Sequence, residues 1–169
     1  IVNSVSIGWQ RSTVSASLAI LLRNGGKAMV LYVIGLGLGD EKDVTVKGLE
    51  AIRSCTRIFL EAYTSVLGVD KAKLEAFYGK SITIADRDFV ELDAEQIYKP
   101  ALTENIAFLV VGDPFCATTH SDLQLRAEQL GVEVSVVHNA GVMGAVGCSG
   151  LSLYTFGQTV SLCFSRRDG

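Results

Sequence analysis

The chain has 169 residues, 49% of them hydrophobic and 20% charged, with only 2 prolines, a core-forming composition that excludes a disordered, collagen-like or proline-rich polypeptide. The length suits one domain and at most a fragment of another. Fifteen basic residues against 18 acidic ones leave a net charge of −3, so no overall positive field gathers a phosphate backbone and a nucleic-acid partner is not expected.

Residues 1–28 read differently from the rest. They begin at Ile1, are rich in serine, and carry Arg11, Arg23 and Lys27 with no acid. The apolar run from Val14 to Leu22 is far shorter than the roughly 20 residues a membrane span needs. The segment is expected to be a disordered or loosely helical extension, with a targeting peptide as the alternative. All 18 acids but only 12 of the 15 basic residues lie in 29–169, which leaves that part at −6. An acidic, cytoplasmic protein with no membrane partner is the expectation.

From Val30 to Leu36 the chain is almost unbroken apolar sequence, as in a strand buried on both faces of a parallel sheet, and this is expected to be the first and central strand. Asp43 or Thr45 can cap a helix carrying Val46, Leu49 and Ile52 on one face. The rhythm then repeats: a strand over Arg57 to Leu60, a helix over Lys71 to Tyr78 capped by Asp70, a strand over Ser81 to Ala85 and a weak helix over Ala94 to Tyr98. A second fully apolar strand runs from Asn105 to Val111. Ser121-Asp-Leu-Gln124 has the form of a capping box before Leu123, Ala127 and Leu130, and Gly131 closes that helix. Glu133 to Val137 supplies the fifth strand. Strands alternating with helices predict an open, mainly parallel five-stranded α/β sheet with right-handed crossovers. Glycines between Gly141 and Gly157 suggest a small-residue helix leading to a strand over Thr159 to Phe164.

Cys55, Cys116, Cys148 and Cys163 form no C-x-x-C pair, and with two histidines they make a poor zinc site; they are expected to be reduced and mostly buried. In such sheets ligands bind beyond the carboxyl ends of the strands, which singles out the loops Gly35 to Asp40, Leu60 to Ser65, Gly112 to His120 and His138 to Gly147. Gly35-Leu-Gly-Leu-Gly39 is a dinucleotide fingerprint with its third glycine one position early, so a nicotinamide cofactor is not supported. Asp113 in Gly112-Asp-Pro-Phe115 can accept hydrogen bonds from a ligand or simply shape its turn. His120 and His138 lack a nucleophile partner at recognisable spacing and read as structural. Neither a G-x-S-x-G elbow nor a phosphate-loop lysine occurs, which removes support for acyl transfer and phosphate-loop hydrolysis.

Taken in order, Leu31-Tyr-Val-Ile-Gly-Leu-Gly-Leu-Gly-Asp40, Thr45-Val-Lys-Gly48, Leu60-Glu-Ala-Tyr-Thr-Ser65, Val111-Gly-Asp-Pro-Phe115, Ala117-Thr-Thr-His-Ser-Asp122 and His138-Asn-Ala140 resemble the diphthine synthase family. The resemblance spans most of residues 29–164 and implies a class III methyltransferase of the tetrapyrrole-methylase fold, in which two α/β domains hold S-adenosyl-L-methionine between them. It implies that the acceptor is the modified histidine of translation elongation factor 2, methylated in diphthamide biosynthesis. It also allows a homodimer for the full-length enzyme. Residues 29–164 correspond to the N-terminal domain. The tail 165–169 departs from the family, so the second domain is expected to be missing and the chain to be incomplete and poorly active.

The resemblance places cofactor contacts at Leu38, Asp113, Cys116, Gly141 and Val142, and no metal. Cys116 stands where the family usually has glycine, and Gly141 where it usually has serine. Transfer of a methyl group from a sulfonium is an in-line displacement with an activated leaving group, so alignment and exclusion of water can supply most of the catalysis. Few acid–base residues are then needed, and no catalytic residue is assigned. The alternatives are a non-catalytic binding module and a tetrapyrrole-precursor methyltransferase of the same fold.

Overall fold

The computed structural model describes residues 29–65, 67–116, 120–155, 157, 158 and 160. Expectations for residues 1–28 and for most of a strand over Thr159 to Phe164 fall outside them; Val160 is described and has no regular structure.

Five strands, β1 (Val30–Gly35), β2 (Arg57–Glu61), β3 (Thr83–Ala85), β4 (Ile106–Val110) and β5 (Glu133–Val137), form one sheet in the order β3-β2-β4-β1-β5. Every pairing is parallel. The open parallel α/β sheet read from the sequence is therefore present. Its middle strand, however, is β4 and not the strand beginning at Val30. Both are continuous apolar runs because both are covered on two faces, and periodicity cannot rank two such strands. Their neighbours decide it: β4 lies between β2 and β1 and all five of its residues are 0% exposed, whereas β5 forms an edge.

The helices are α1 (Val46–Ser54), α2 (Lys71–Tyr78), α3 (Arg87–Leu92), α4 (Glu95–Tyr98), α5 (Ser121–Gln129) and α6 (Val142–Ala145). Alternation along the strands divides the core into two layers. Ile34, Ile58, Leu60 and Leu109 meet Ile52 of α1 and Leu74 and Tyr78 of α2. Leu31, Val33, Phe59, Ile106 and Phe108 face the other way, against Ile97 of α4 and Leu123 and Ala127 of α5.

Local signals worked unevenly. Thr45, and not Asp43, caps α1, its Oγ1 accepting from the Gly48 N–H at 3.0 Å. Asp70 holds the N-cap backbone position of α2 without a side-chain bond. The capping box expected at Ser121 does not form. His120 takes the N-cap position with helical backbone angles and makes no side-chain cap bond, so Ser121 lies inside the first turn. The other end of α5 follows the sequence: Gly131, at φ 78°, donates to Glu128 O while Val132 donates to Ala127 O, the two bonds of a Schellman closure. Leu130 is 41% exposed and leaves the buried face.

Helix α3 was not anticipated. Its signal is Asp86, whose Oδ1 accepts from the Phe89 N–H at 2.9 Å; β3 correspondingly begins at Thr83 and not at Ser81. Between Gly141 and Gly157 the expected helix is one short turn, α6, followed by 3-10 turns at Val146–Ser149 and Leu153–Thr155.

Candidate functional site

The connection from β1 to β2 crosses over β4 with α1 on one face; the connection from β4 to β5 crosses over β1 in the opposite direction with α5 on the other face. Adjacent strands whose chains depart in opposite directions leave a crevice at their carboxyl ends. Here the crevice lies between β1 and β4, and the turn after β5 closes one side.

These turns are fastened to each other by backbone. Gly37 and Gly112 form an isolated antiparallel bridge, with Gly37 N donating to Gly112 O at 3.2 Å and Gly112 N donating to Gly37 O at 2.7 Å. Both glycines sit at φ 79°, where an L side chain is strained. Gly35 has no room for one: a Cβ there would lie 2.5 Å from Gly112 O and 2.8 Å from the Asn139 Cβ. Three loops thus meet at one point because glycine occupies it.

Asn139 ties the turn after β5 to the first loop. Its Nδ2 donates to Gly35 O at 2.9 Å and to Asp43 O at 3.0 Å, and its Oδ1 accepts from the Ala140 N–H. Asp43 in turn accepts from the Gly39 N–H at 2.7 Å, which closes the glycine loop carrying Leu38. The ion pair of Lys73 with the buried Glu41, at 3.0 Å, fixes the same loop to α2.

Asp113 fastens the second and third turns. Oδ1 accepts from the Phe115 N–H at 2.9 Å, and Oδ2 accepts from the Asn139 N–H at 3.1 Å and meets His138 Nδ1 at 2.8 Å. Burial pushes this carboxyl up, but the bonds from Phe115, His138 and Asn139 outweigh it and hold it below the ordinary aspartate value. Both oxygens of Asp113 are engaged within the protein, so its observed work is to position the loops.

The structure brings together Leu38, Asp113, Cys116 and Gly141. A Cβ at Gly112 would lie 3.5 Å from Leu38 Cδ2, and a Cβ at Gly141 would lie 2.8 Å from both Cβ and Sγ of Cys116 and 3.4 Å from the Asp113 Cβ. The two departures read in the sequence therefore touch: side-chain volume absent at 141 is present at 116 across the same contact. Val142 follows Gly141 and is 57% exposed, as Leu38 is 42% exposed, giving the crevice an apolar lip. Gly141 has an extended φ of −115°, so its restriction is steric and not conformational.

The cysteines are less uniformly buried than expected. Cys55 is in the core, Cys116 is half-buried and Cys148 is exposed; all three are free, and Cys163 lies outside the described residues. Burial pushes the Cys55 thiol up to about 11. Sequence reading passed over Asn139 as a tie and Asp43 as the closing carboxylate of the glycine loop. An amide or carboxylate on a strand-end loop is an available signal, but its partners are up to 104 residues away.

Residues 30–169 match the family model described as Tetrapyrrole (Corrin/Porphyrin) Methylases. The chain is 62% identical over 135 residues to the diphthine methyl ester synthase of Mus musculus, covering 80% of this chain and 48% of the mouse protein. The Homo sapiens diphthine methyl ester synthase is also 62% identical over 135 residues, with 47% of that protein covered. Among solved structures, one assigned to diphthine synthase from Entamoeba histolytica superposes with a TM-score of 0.74 at 56% identity, over 83% of this chain and 53% of that one. A crystal structure of diphthine synthase gives 0.73 at 40% identity, over 76% and 51%. The chain spans about half the length of the curated relatives it matches. With its parallel sheet, its crevice at the β1–β4 switch point and these similarities together, the chain belongs to the tetrapyrrole methylase family, where it is similar to the diphthine methyl ester synthases.

Proposed function

We propose that this chain forms the cofactor-binding half of an S-adenosyl-L-methionine-dependent methyltransferase of diphthamide biosynthesis, acting in the cytoplasm on the modified histidine of translation elongation factor 2. The observation that carries the reading is the convergence of the turns after β1, β4 and β5 through the Gly37–Gly112 bridge and the Asn139 amide. The residues present suit a sulfonium nucleoside. Glycines at 37 and 112 let two loops bridge through their backbones at the crevice, whose rim carries the exposed apolar side chains of Leu38 and Val142.

In this reading Leu38 and Val142 pack against the cofactor, while Asp113 positions the loops at 112–116 and 138–141. Cys116 fills the space beside Gly141. The cofactor, when bound, supplies an activated methyl group. The protein's task is to align the acceptor and exclude water, which needs no nucleophile triad, and none is seen at the crevice among the described residues. An acceptor carboxylate is ionised at neutral pH, whereas an acceptor amine must first lose a proton.

Calorimetric titration of the 169-residue chain with S-adenosyl-L-methionine tests the site. A saturable 1:1 heat is expected, with affinity lowered at least about tenfold by Leu38→Asp, which puts a charge against apolar ligand surface. No heat, or a heat that Leu38→Asp leaves unchanged, overturns the assignment. Transfer of labelled methyl groups to elongation factor 2, and not to a porphyrin precursor, separates the two methylase readings.

A further inference from the structure

Glu41 is unusual for a loop residue. It lies between Gly39 and Asp43, on the connection from β1 to α1, yet it is only 5% exposed. Taking a carboxylate out of water costs free energy that an apolar side chain would not, and a buried ion pair seldom stabilises a fold more than two packed apolar groups do. The groups that face Glu41 sharpen the point. Lys73 of α2 meets it at 3.0 Å, and Asp40 repels it. The Tyr78 phenol, pushed up to about 12 by burial and by the Glu41 charge, stays neutral. Among the described residues Glu41 has no ion pair besides the one with Lys73.

The two ends of this pair are unequal. The Lys73 side chain is 56% exposed and stands on a helix anchored in the core by Leu74 and Tyr78. Glu41 sits in the loop that carries Leu38, and the residues flanking it close that loop: the Gly39 N–H donates to Asp43 Oδ2, while Asp43 O accepts from Asn139 Nδ2, which also reaches Gly35 O. A Glu41 side chain that moved out to water would open the turn over 39–43 and disturb the Asn139 tie. The charge on one exposed lysine is thereby linked to the closure of the crevice.

We propose that Lys73 is a positioning residue for the crevice: its charge keeps Glu41 inside, and Glu41 inside keeps the Gly39–Asp43 turn closed beneath Leu38. Without that charge the carboxylate regains water by swinging out, and the loop opens. That the loop serves S-adenosyl-L-methionine rests on the function proposed above; the latch itself does not.

Amide hydrogen exchange of the 169-residue chain, with no ligand added, reads the latch directly. The Gly37 and Gly39 amides are bonded to Gly112 O and Asp43 Oδ2; in Lys73→Met they should exchange at least about tenfold faster, while Leu109 in β4 keeps its rate. Lys73→Arg should match the parent. Adding Glu41→Gln to Lys73→Met should bring exchange most of the way back, because the uncompensated charge is gone; a merely structural contact would not be rescued by losing its second partner. Lys71→Met removes an exposed lysine of the same helix, paired with Glu75, and should change nothing. In calorimetry the affinity for S-adenosyl-L-methionine should fall about tenfold in Lys73→Met and return in the double variant. Unchanged exchange at Gly37 and Gly39, equal acceleration at Leu109, an equal response in Lys71→Met, no recovery in the double variant, or a cofactor affinity indifferent to Lys73→Met each overturn the proposal. Loop exchange that responds as expected in a chain giving no cofactor heat at all removes only the methyltransferase assignment, and cofactor heat with loop exchange indifferent to Lys73 removes only the latch.

Discussion

At the scale of single residues, the contact between Cys116 and Gly141 decides what either position tolerates. Gly141→Ser adds a Cβ 2.8 Å from the Cys116 Cβ and Sγ, an overlap that must push apart the turns after β4 and β5. Overpacking of this kind costs about 1–3 kcal/mol. Cys116→Gly removes the obstacle, so the double variant should recover most of that loss, with a coupling of at least about 0.5 kcal/mol in a denaturant double-mutant cycle. Additive losses would show that the two side chains do not share space. Asp113 gives a pH prediction. Its folded-state value is held below the ordinary 3.8, so its contribution to stability is complete above about pH 4 and is lost as pH falls through the depressed value. Acid unfolding followed by circular dichroism should show a shallower pH dependence below pH 4 in Asp113→Asn than in the parent, and parallel curves would rule the linkage out.

At the scale of elements, helix ends show where local sequence is sufficient. Gly131 closes α5 at φ 78° with two backbone bonds, a geometry that glycine adopts without a Cβ penalty. Gly131→Ala is expected to cost about 1 kcal/mol in urea unfolding with no change in the slope, because the helix end is strained and no core contact is lost. A neutral result would mean that the chain there relaxes out of the left-handed region. The start of the same helix departs from its local signal because a hydroxyl caps only from the residue before the first helical turn, and His120, held against Phe108, takes that place. Tertiary packing displaced the capping signal by one position.

At the scale of the whole molecule, β4 is the strand around which both layers assemble. Leu109 is fully buried in the middle of the sheet, paired with Ile34 on one side and Leu60 on the other. Leu109→Ala should cost about 2–5 kcal/mol through lost burial and the cavity it leaves. Cys55 reports the same event chemically. It is 0% exposed and its thiol is pushed up to about 11, so it should resist alkylation at neutral pH while exposed Cys148 reacts. In Leu109→Ala, alkylation of Cys55 should quicken by about 30-fold or more, the factor that 2 kcal/mol implies. Labelling of Cys55 at an unchanged rate would mean that it becomes accessible by local fraying of α1 and not by opening of the core.

Strand and helix alternation, the doubly buried character of β1 and β4, and the concentration of chemistry in strand-end loops were all determined by the amino-acid sequence, because apolar periodicity and glycine placement are local properties of the chain. The six ordered blocks carried the family. Which strand takes the middle, the tie from Asp113 to the turn after β5, and the meeting of Cys116 with Gly141 were decided by tertiary structure alone. Each depends on groups far apart in the chain, joined only when the two crossovers leave β1 and β4 in opposite directions. The buried imidazole of His120 belongs to the same class: nothing in Thr-Thr-His-Ser-Asp122 distinguishes a hydrogen-bonded histidine from one packed edge-on against Phe108 and Tyr63, since that difference arises from what surrounds the ring.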